Sequence, residues 1–357
     1  MQLCKTFTKG KQMTEQKCPE LTEGAIREII SNSETNGVYF TEIPNDLYHS
    51  GPGISSSDIK TLINGTVGKL LHRKNSNQKE SQALRLGTMI HMRVLEENLY
   101  RQTYVLGTPK VPARNTKDGK EKFKEWCELH EDLYLKTYQE KMDTDQWKIE
   151  FVKWQYPDTN FVTHAENEII EGISKSILEH DQIAKLLKGS MREASLYWID
   201  KETNILCKSR PDVLNLSLSS PCLLDLKSCQ NGGLDEFEGD VTARDYHVSA
   251  SWYLWGFKEV FGMDIEHFIY VPCEKEPPYH VSYYIADEGS INIGEGLYRA
   301  GLKIYQRYLN QSKQGNVWTG HSKVAKTIGV RPWAMNKLSQ VIAKHDLHNM
   351  GLEKYVQ

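Results

Sequence analysis

The sequence lacks a paired-cysteine motif, a long apolar run and an excess of charge of either sign. Each absence removes a class of protein. Its seven cysteines, Cys4, Cys18, Cys127, Cys207, Cys222, Cys229 and Cys273, are odd in number, irregularly spaced and without a C-x-x-C. That excludes a zinc ribbon or knuckle and fits free thiols in a reducing compartment. No stretch approaches the roughly 18 apolar residues of a membrane span. The opening MQLCKTFTKGKQMTEQ lacks the apolar core of a secretory signal. The expectation is therefore a soluble, cytoplasmic protein with no membrane partner. Lys and Arg number 44 against 47 Asp and Glu, a net charge of −3 at pH 7. Coating nucleic acid by bulk positive charge is excluded, while local basic clusters can still hold phosphate. With 39% hydrophobic and 25% charged residues the composition is that of a globular protein, which excludes wholesale disorder and fibrous repeats.

A length of 357 residues suits two ordinary domains or one large α/β domain. Residues 1–36 read as a polar, flexible leader with a short amphipathic helix at 20–31. Residues 37–310 read as the main domain, with a helical insertion over about 107–187, and 311–357 as a polar tail. Within the main domain GVYFTEI alternates like a strand. A serine of Ser55–Ser57 can cap a helix over 54–63, and ALRLGTMIHMRVLEE (83–97) has the broad apolar face of a helix. Residues 107–124 read as a basic loop, and 121–187 as mostly helical with a break at 155–160. The period then changes. Segments 193–200, 205–218 and 222–229 read as a three-strand meander, followed by a Gly-rich acidic loop (231–240), a helix (245–262), strands at 265–274 and 280–286, and a helix over 288–310. This order predicts a mixed α/β (α+β) fold with one central sheet flanked by helices. Residues 321–342 have a weak helix-turn-helix look.

One strand carries charge where apolar residues belong. In CLLDLKSC, Asp225 and Lys227 sit among Leu223, Leu224 and Leu226. Burying them is expensive unless they are paired or bound to an ion. Two positions apart, they project from one face of the strand. If the preceding strand is its hairpin neighbour, Asp212 lies beside Asp225. Two carboxylates and an ammonium suit a hard cation such as Mg²⁺ or Mn²⁺. By spacing alone a simple Asp–Lys ion pair on a half-exposed strand is the favoured reading, since D-x-K is common by chance.

Pro211-Asp212, a 12-residue gap, then Asp225-Leu226-Lys227 resembles the PD-(D/E)xK nuclease motif. Further segments resemble the RecE-type exonuclease (exonuclease VIII) family in the right order. They are YHSGPGISSSDIKTLING (48–65), LRLGTMIHMRVLEE (84–97), REASLYWIDKETNILCKSRPDVLN (192–215), YHVSASWYLWGF (246–257) and VWTG…RPWAM (317–335). The resemblance covers about residues 37–335 and implies a PD-(D/E)xK restriction-endonuclease-like core. It implies His91, Asp212, Asp225 and the carbonyl of Leu226 as metal ligands, and Lys227 as the catalytic lysine. Glu193 matches a recurrent acidic position that binds a second metal or caps the sheet edge. Arg210, next to Pro211, is a phosphate contact by position. Ser249 and Tyr253 stand where the superfamily carries Gln-x-x-x-Tyr, so the DNA-contacting glutamine is replaced. An iron–sulfur cluster is excluded, because only Cys273 follows Cys229. The implied activity is Mg²⁺-dependent removal of the 5′-ended strand from linear double-stranded DNA ends, with Mn²⁺ as a substitute. The implied partners are a single-strand annealing protein and further copies of the chain in a ring, with Lys60, Lys69, Arg73, Lys74 and the 110–124 loop as channel cations. An endonuclease of the same fold, or a DNA-end-binding protein whose site has decayed, are the other readings.

Overall fold

The computed structural model describes residues 3–6, 14–17, 21–41, 43–76, 81–106, 116–128, 160–217, 221–265, 267–315, 319–321 and 344. The first half of the expected basic loop, the middle of the insertion and nearly all of the helix-turn-helix-like tail lie outside them, while residues 117–124 of that loop lie in the Lys117–Glu128 helix. The chain forms two compact units, Met1–Trp318 and Thr319–Gln357. The elements below belong to the first.

In chain order the strands are β1 (Leu3–Thr6), β2 (Thr14–Lys17), β3 (Gly37–Thr41), β4 (Tyr104–Leu106), β5 (Asn160–Val162), β6 (Met191–Arg192), β7 (Ser195–Ile199), β8 (Leu206–Ser209), β9 (Val213–Asn215), β10 (Cys222–Cys229), β11 (His267–Glu274) and β12 (Tyr284–Ile285). They make two five-stranded sheets, ordered β2-β1-β3-β7-β8 and β12-β11-β10-β9-β6, and a β4-β5 pair. Pairing is antiparallel except for β10 with β11 and β4 with β5.

The expected single sheet built on one meander is corrected here. Segment 205–218 is interrupted at Arg210-Pro211-Asp212. β8, before the interruption, pairs with β7, and β9, after it, pairs with β10. Proline has no N–H to give to a ladder. The chain therefore leaves one sheet and enters the other at Pro211, which sets Asp212 at the junction.

CLLDLKSC is nearly continuous in apolar residues, as a strand buried on both faces requires. Leu224 and Leu226 pack with Met89, Ile90 and Val94 of the Gln82–Leu95 helix and with Ile170 and Ile173 of the His164–Glu179 helix. Leu223 faces the other way, toward Phe257 of the Tyr246–Phe261 helix. A crossover element must join parallel strands, and this helix lies between β10 and β11 in the chain. It also buries Val248 and Trp252 against Leu196 and Trp198 of the first sheet. Largely buried, with Lys258 on its open side, it is the helix that bridges both sheets.

Two further expectations are corrected. The Glu23–Ser31 helix is not a flexible leader, because Ile26 and Ile30 are buried with Phe40 and Tyr197. The acidic stretch after Gly233 is not a loop. It forms the Leu234–Ala243 helix, with Asp235 and Glu236 in the first turn, where carboxylates favour the helix dipole.

Candidate active site

The Gln82–Leu95 helix starts on Ser81, whose side chain accepts from Leu84 N, and its apolar face enters the core. His91 lies at the edge of that face and points to the junction of the two sheets. Its Nε2 is 3.0 Å from the carbonyl oxygen of Leu226 and its Nδ1 is 3.5 Å from Asp212 Oδ1. The other oxygen of Asp212 accepts the Leu226 N–H at 2.6 Å. Glu193 arrives from the turn before β7. Its N–H donates to the Asp212 carbonyl at 3.1 Å and its φ is 51°. A non-glycine residue in the left-handed region costs about 1–2 kcal/mol and tends to mark functional places. One ligand atom each from His91, Glu193 and Asp212 lies within 4.8 Å of the others.

On β10 Asp225 and Lys227 do share a face, and their charged ends are ion-paired. Asp225 is therefore turned to the lysine, and the close group of three has Glu193 where the resemblance put Asp225. Lys227 also donates to the Leu226 carbonyl at 3.3 Å and stands 5.2 Å from the centre of the Tyr246 ring. Tyr246 stands outside the residues named from the motif. It follows Asp245, another left-handed residue (φ 53°), which Asn64 Nδ2 holds through Oδ2 at 2.6 Å. The signal that could have found it is its position at the start of the long, largely apolar helix that follows the lysine strand and the acidic stretch.

The charges are strongly coupled. Burial, with the charge of Asp212, pushes Glu193 up to about 8. Burial also raises Asp225, outweighing Lys227. In Asp212 the balance reverses: burial would raise it, but His91, Lys227 and the Leu226 N–H hold it low. Burial would lower His91, yet Asp212 wins and lifts it to about 9. The pocket thus demands a cation, and the imidazolium is one. Two carboxylates, an imidazole and a backbone carbonyl around one point fit a hard divalent ion. To ligate it, His91 must give up its proton.

Other sequence-derived candidates lie elsewhere. Arg210 is corrected from phosphate contact to scaffold. It is 8% exposed and donates through Nε and Nη2 to Ser195 Oγ at 2.9 and 2.7 Å and through Nη2 to the Ile43 carbonyl at 3.0 Å. Ser249 is 5% exposed, inside the packing, so it does not replace the glutamine as a surface contact. Tyr253 is packed between both apolar clusters, with its hydroxyl bonded to Ser56. Arg73 and Lys74 both pair with Asp58, which also closes the capping box on Ser55.

A family model described as a PDDEXK-like domain of unknown function (DUF3799) matches residues 55–326. That span holds every residue of the cluster from His91 to Lys227. No match is found among curated proteins. A solved structure from Eubacterium rectale, described as a "Putative exonuclease", aligns over 83% of this chain and 98% of its own, at 11% identity and a TM-score of 0.49. With the Asp212…Asp225-x-Lys227 motif at the junction of its sheets, the chain belongs to the PDDEXK-like family DUF3799, of the PD-(D/E)xK superfamily, and has its restriction-endonuclease-like fold.

Proposed function

We propose that this protein is a metal-dependent DNA exonuclease that removes the 5′-ended strand from linear duplex ends and leaves 3′ overhangs. The observation that carries the reading is the convergence of His91, Glu193, Asp212 and the Leu226 carbonyl beside an Asp225–Lys227 ion pair. Bound there, Mg²⁺ (or Mn²⁺) would polarise the scissile phosphodiester and acidify a water. The chain's own groups do the rest. Asp212, Glu193 and neutral His91 would hold the ion. Asp225 fixes Lys227 as an ammonium, and Tyr246 keeps it in place. Lys227 can then orient the attacking water or donate to a phosphate oxygen as negative charge builds up. Glu193 serves as a ligand of this centre rather than as a sheet cap.

The duplex-end substrate, the polarity, the annealing-protein partner and a ring of copies rest on the resemblance to the RecE-type family. The completeness of the cluster argues against a decayed end-binding protein. The test is digestion of a linear duplex labelled at either the 5′ or the 3′ end, with a closed circle alongside and Mg²⁺ present. The reading expects early release of the 5′ label as mononucleotides and an intact circle. Cutting of the circle would make the protein an endonuclease. Binding without cleavage would restore the decayed-site reading.

A further inference from the structure

We propose that Lys60 is a second substrate-binding cation of this centre and takes a backbone phosphate of the strand being cut. The inference rests on the nuclease reading above. Lys60 lies on the Ser56–Asn64 helix, far in sequence from β10, yet its Nζ and that of Lys227 address the same aromatic ring. Lys60 is 5.6 Å and Lys227 is 5.2 Å from the centre of Tyr246. The two ammonium groups differ in how they are neutralised. Lys227 has Asp225. Among the described residues, the one hydrogen-bond acceptor of Lys60 is the Arg244 carbonyl at 3.5 Å, beyond the usual N–H···O range.

Its basic neighbours show what a satisfied cation looks like here. Lys208 donates to the Tyr48 and Gly51 carbonyls, each at 2.7 Å. Arg73 and Lys74 are taken by Asp58. Burial, with the like charge of Lys227, pushes Lys60 down to about 8 against the pull of Asp225 and Asp245, so at neutral pH it stays charged, and its one close acceptor among the described residues is the neutral Arg244 carbonyl. A part-buried ammonium in that state is costly unless a ligand supplies the anion. A phosphate is such a ligand, and lysine binds it as a point charge. Placement completes the argument. Ser249 is too short and too buried to reach the strand from the Tyr246–Phe261 helix. Lys60 reaches the centre from the facing helix.

The test uses the full chain and a short fluorescent duplex in EDTA, with affinity measured across a KCl series. Lys60→Gln should weaken binding roughly tenfold and make the slope of log K against log salt shallower by about one. Lys60→Arg should keep the wild-type slope. So should Lys201→Gln, which removes a 76% exposed lysine beside Glu259. With Mg²⁺ added, Lys60→Gln should raise KM more than it lowers kcat. If wild type cuts DNA and Lys60→Gln keeps both slope and KM, the assignment is overturned, and a lowered Tm in that variant would make Lys60 a brace for the 244–246 turn. If wild type neither binds nor cuts DNA, the nuclease reading and this inference fall together.

Discussion

Replacing Arg210 by methionine separates two roles for one side chain. By its place beside Pro211-Asp212 it would grip phosphate. By its surroundings it holds the sheet junction to the 43–48 stretch, through Ser195 Oγ, the Ile43 carbonyl and the Tyr48 ring, whose centre is 4.1 Å from the guanidinium. Methionine keeps most of the apolar volume but leaves these two buried acceptors without donors. Each charge-assisted bond lost with a buried partner costs about 1.5–3 kcal/mol. Removing a desolvated cation returns part of that. The net is about 3–4 kcal/mol, which for a domain of this size lowers Tm by about 5 °C. Thermal unfolding by circular dichroism measures the loss. Binding of a duplex across a salt series, well below the new Tm, measures the other role. The structural account expects that Tm drop with an unchanged salt slope. An unchanged Tm with a slope shallower by about one would refute it.

Two other outcomes follow. In Gly256→Ala the added methyl would meet the Trp198 ring at 2.6 Å, and that ring is locked between Trp252 and Trp255; overpacking costs about 1–3 kcal/mol against a helix-propensity gain of about 1 kcal/mol, so Tm should fall, whereas in Gly239→Ala nothing lies within 4 Å and Tm should rise. The second concerns pH. With His91 raised to about 9, an ion must displace its proton, so Mn²⁺ affinity followed by electron paramagnetic resonance should drop about tenfold from pH 9 to 8 and more steeply below 8, where Glu193 takes up a proton as well; the metal-free fold should move the opposite way, since the raised His91 stabilises it fully below its ordinary 6.5 and that contribution is lost as pH rises through about 9.

The chemistry of the site was legible because it is local. Asp225 and Lys227 are one strand repeat apart, and the period of two alone puts them on one face. The Gln82–Leu95 helix was legible because its apolar residues repeat at helical spacing. What escaped reading was set by tertiary contact. Pro211 could have signalled the interruption of the 205–218 strand, but which sheet each half joins depends on partners far along the chain. Arg210 looks the same in sequence whether it faces solvent or Ser195. The left-handed Glu193 is invisible to any pattern, because only the folded junction forces its φ. Lys60 was one basic residue among several, and only its meeting with Tyr246 sets it apart.

The central claim is that His91, Glu193, Asp212, Leu226 and Lys227 form a metal-dependent nuclease centre. Its most direct measurement compares Mg²⁺-dependent digestion of a linear duplex by wild type and by Lys227→Ala, with duplex affinity in EDTA measured for both. The account predicts cleavage by wild type that stops in EDTA, and a loss of at least a hundredfold in rate for the variant, with duplex affinity changed by no more than the loss of one phosphate contact. Equal rates for the two proteins, or cleavage that persists in EDTA, would contradict it.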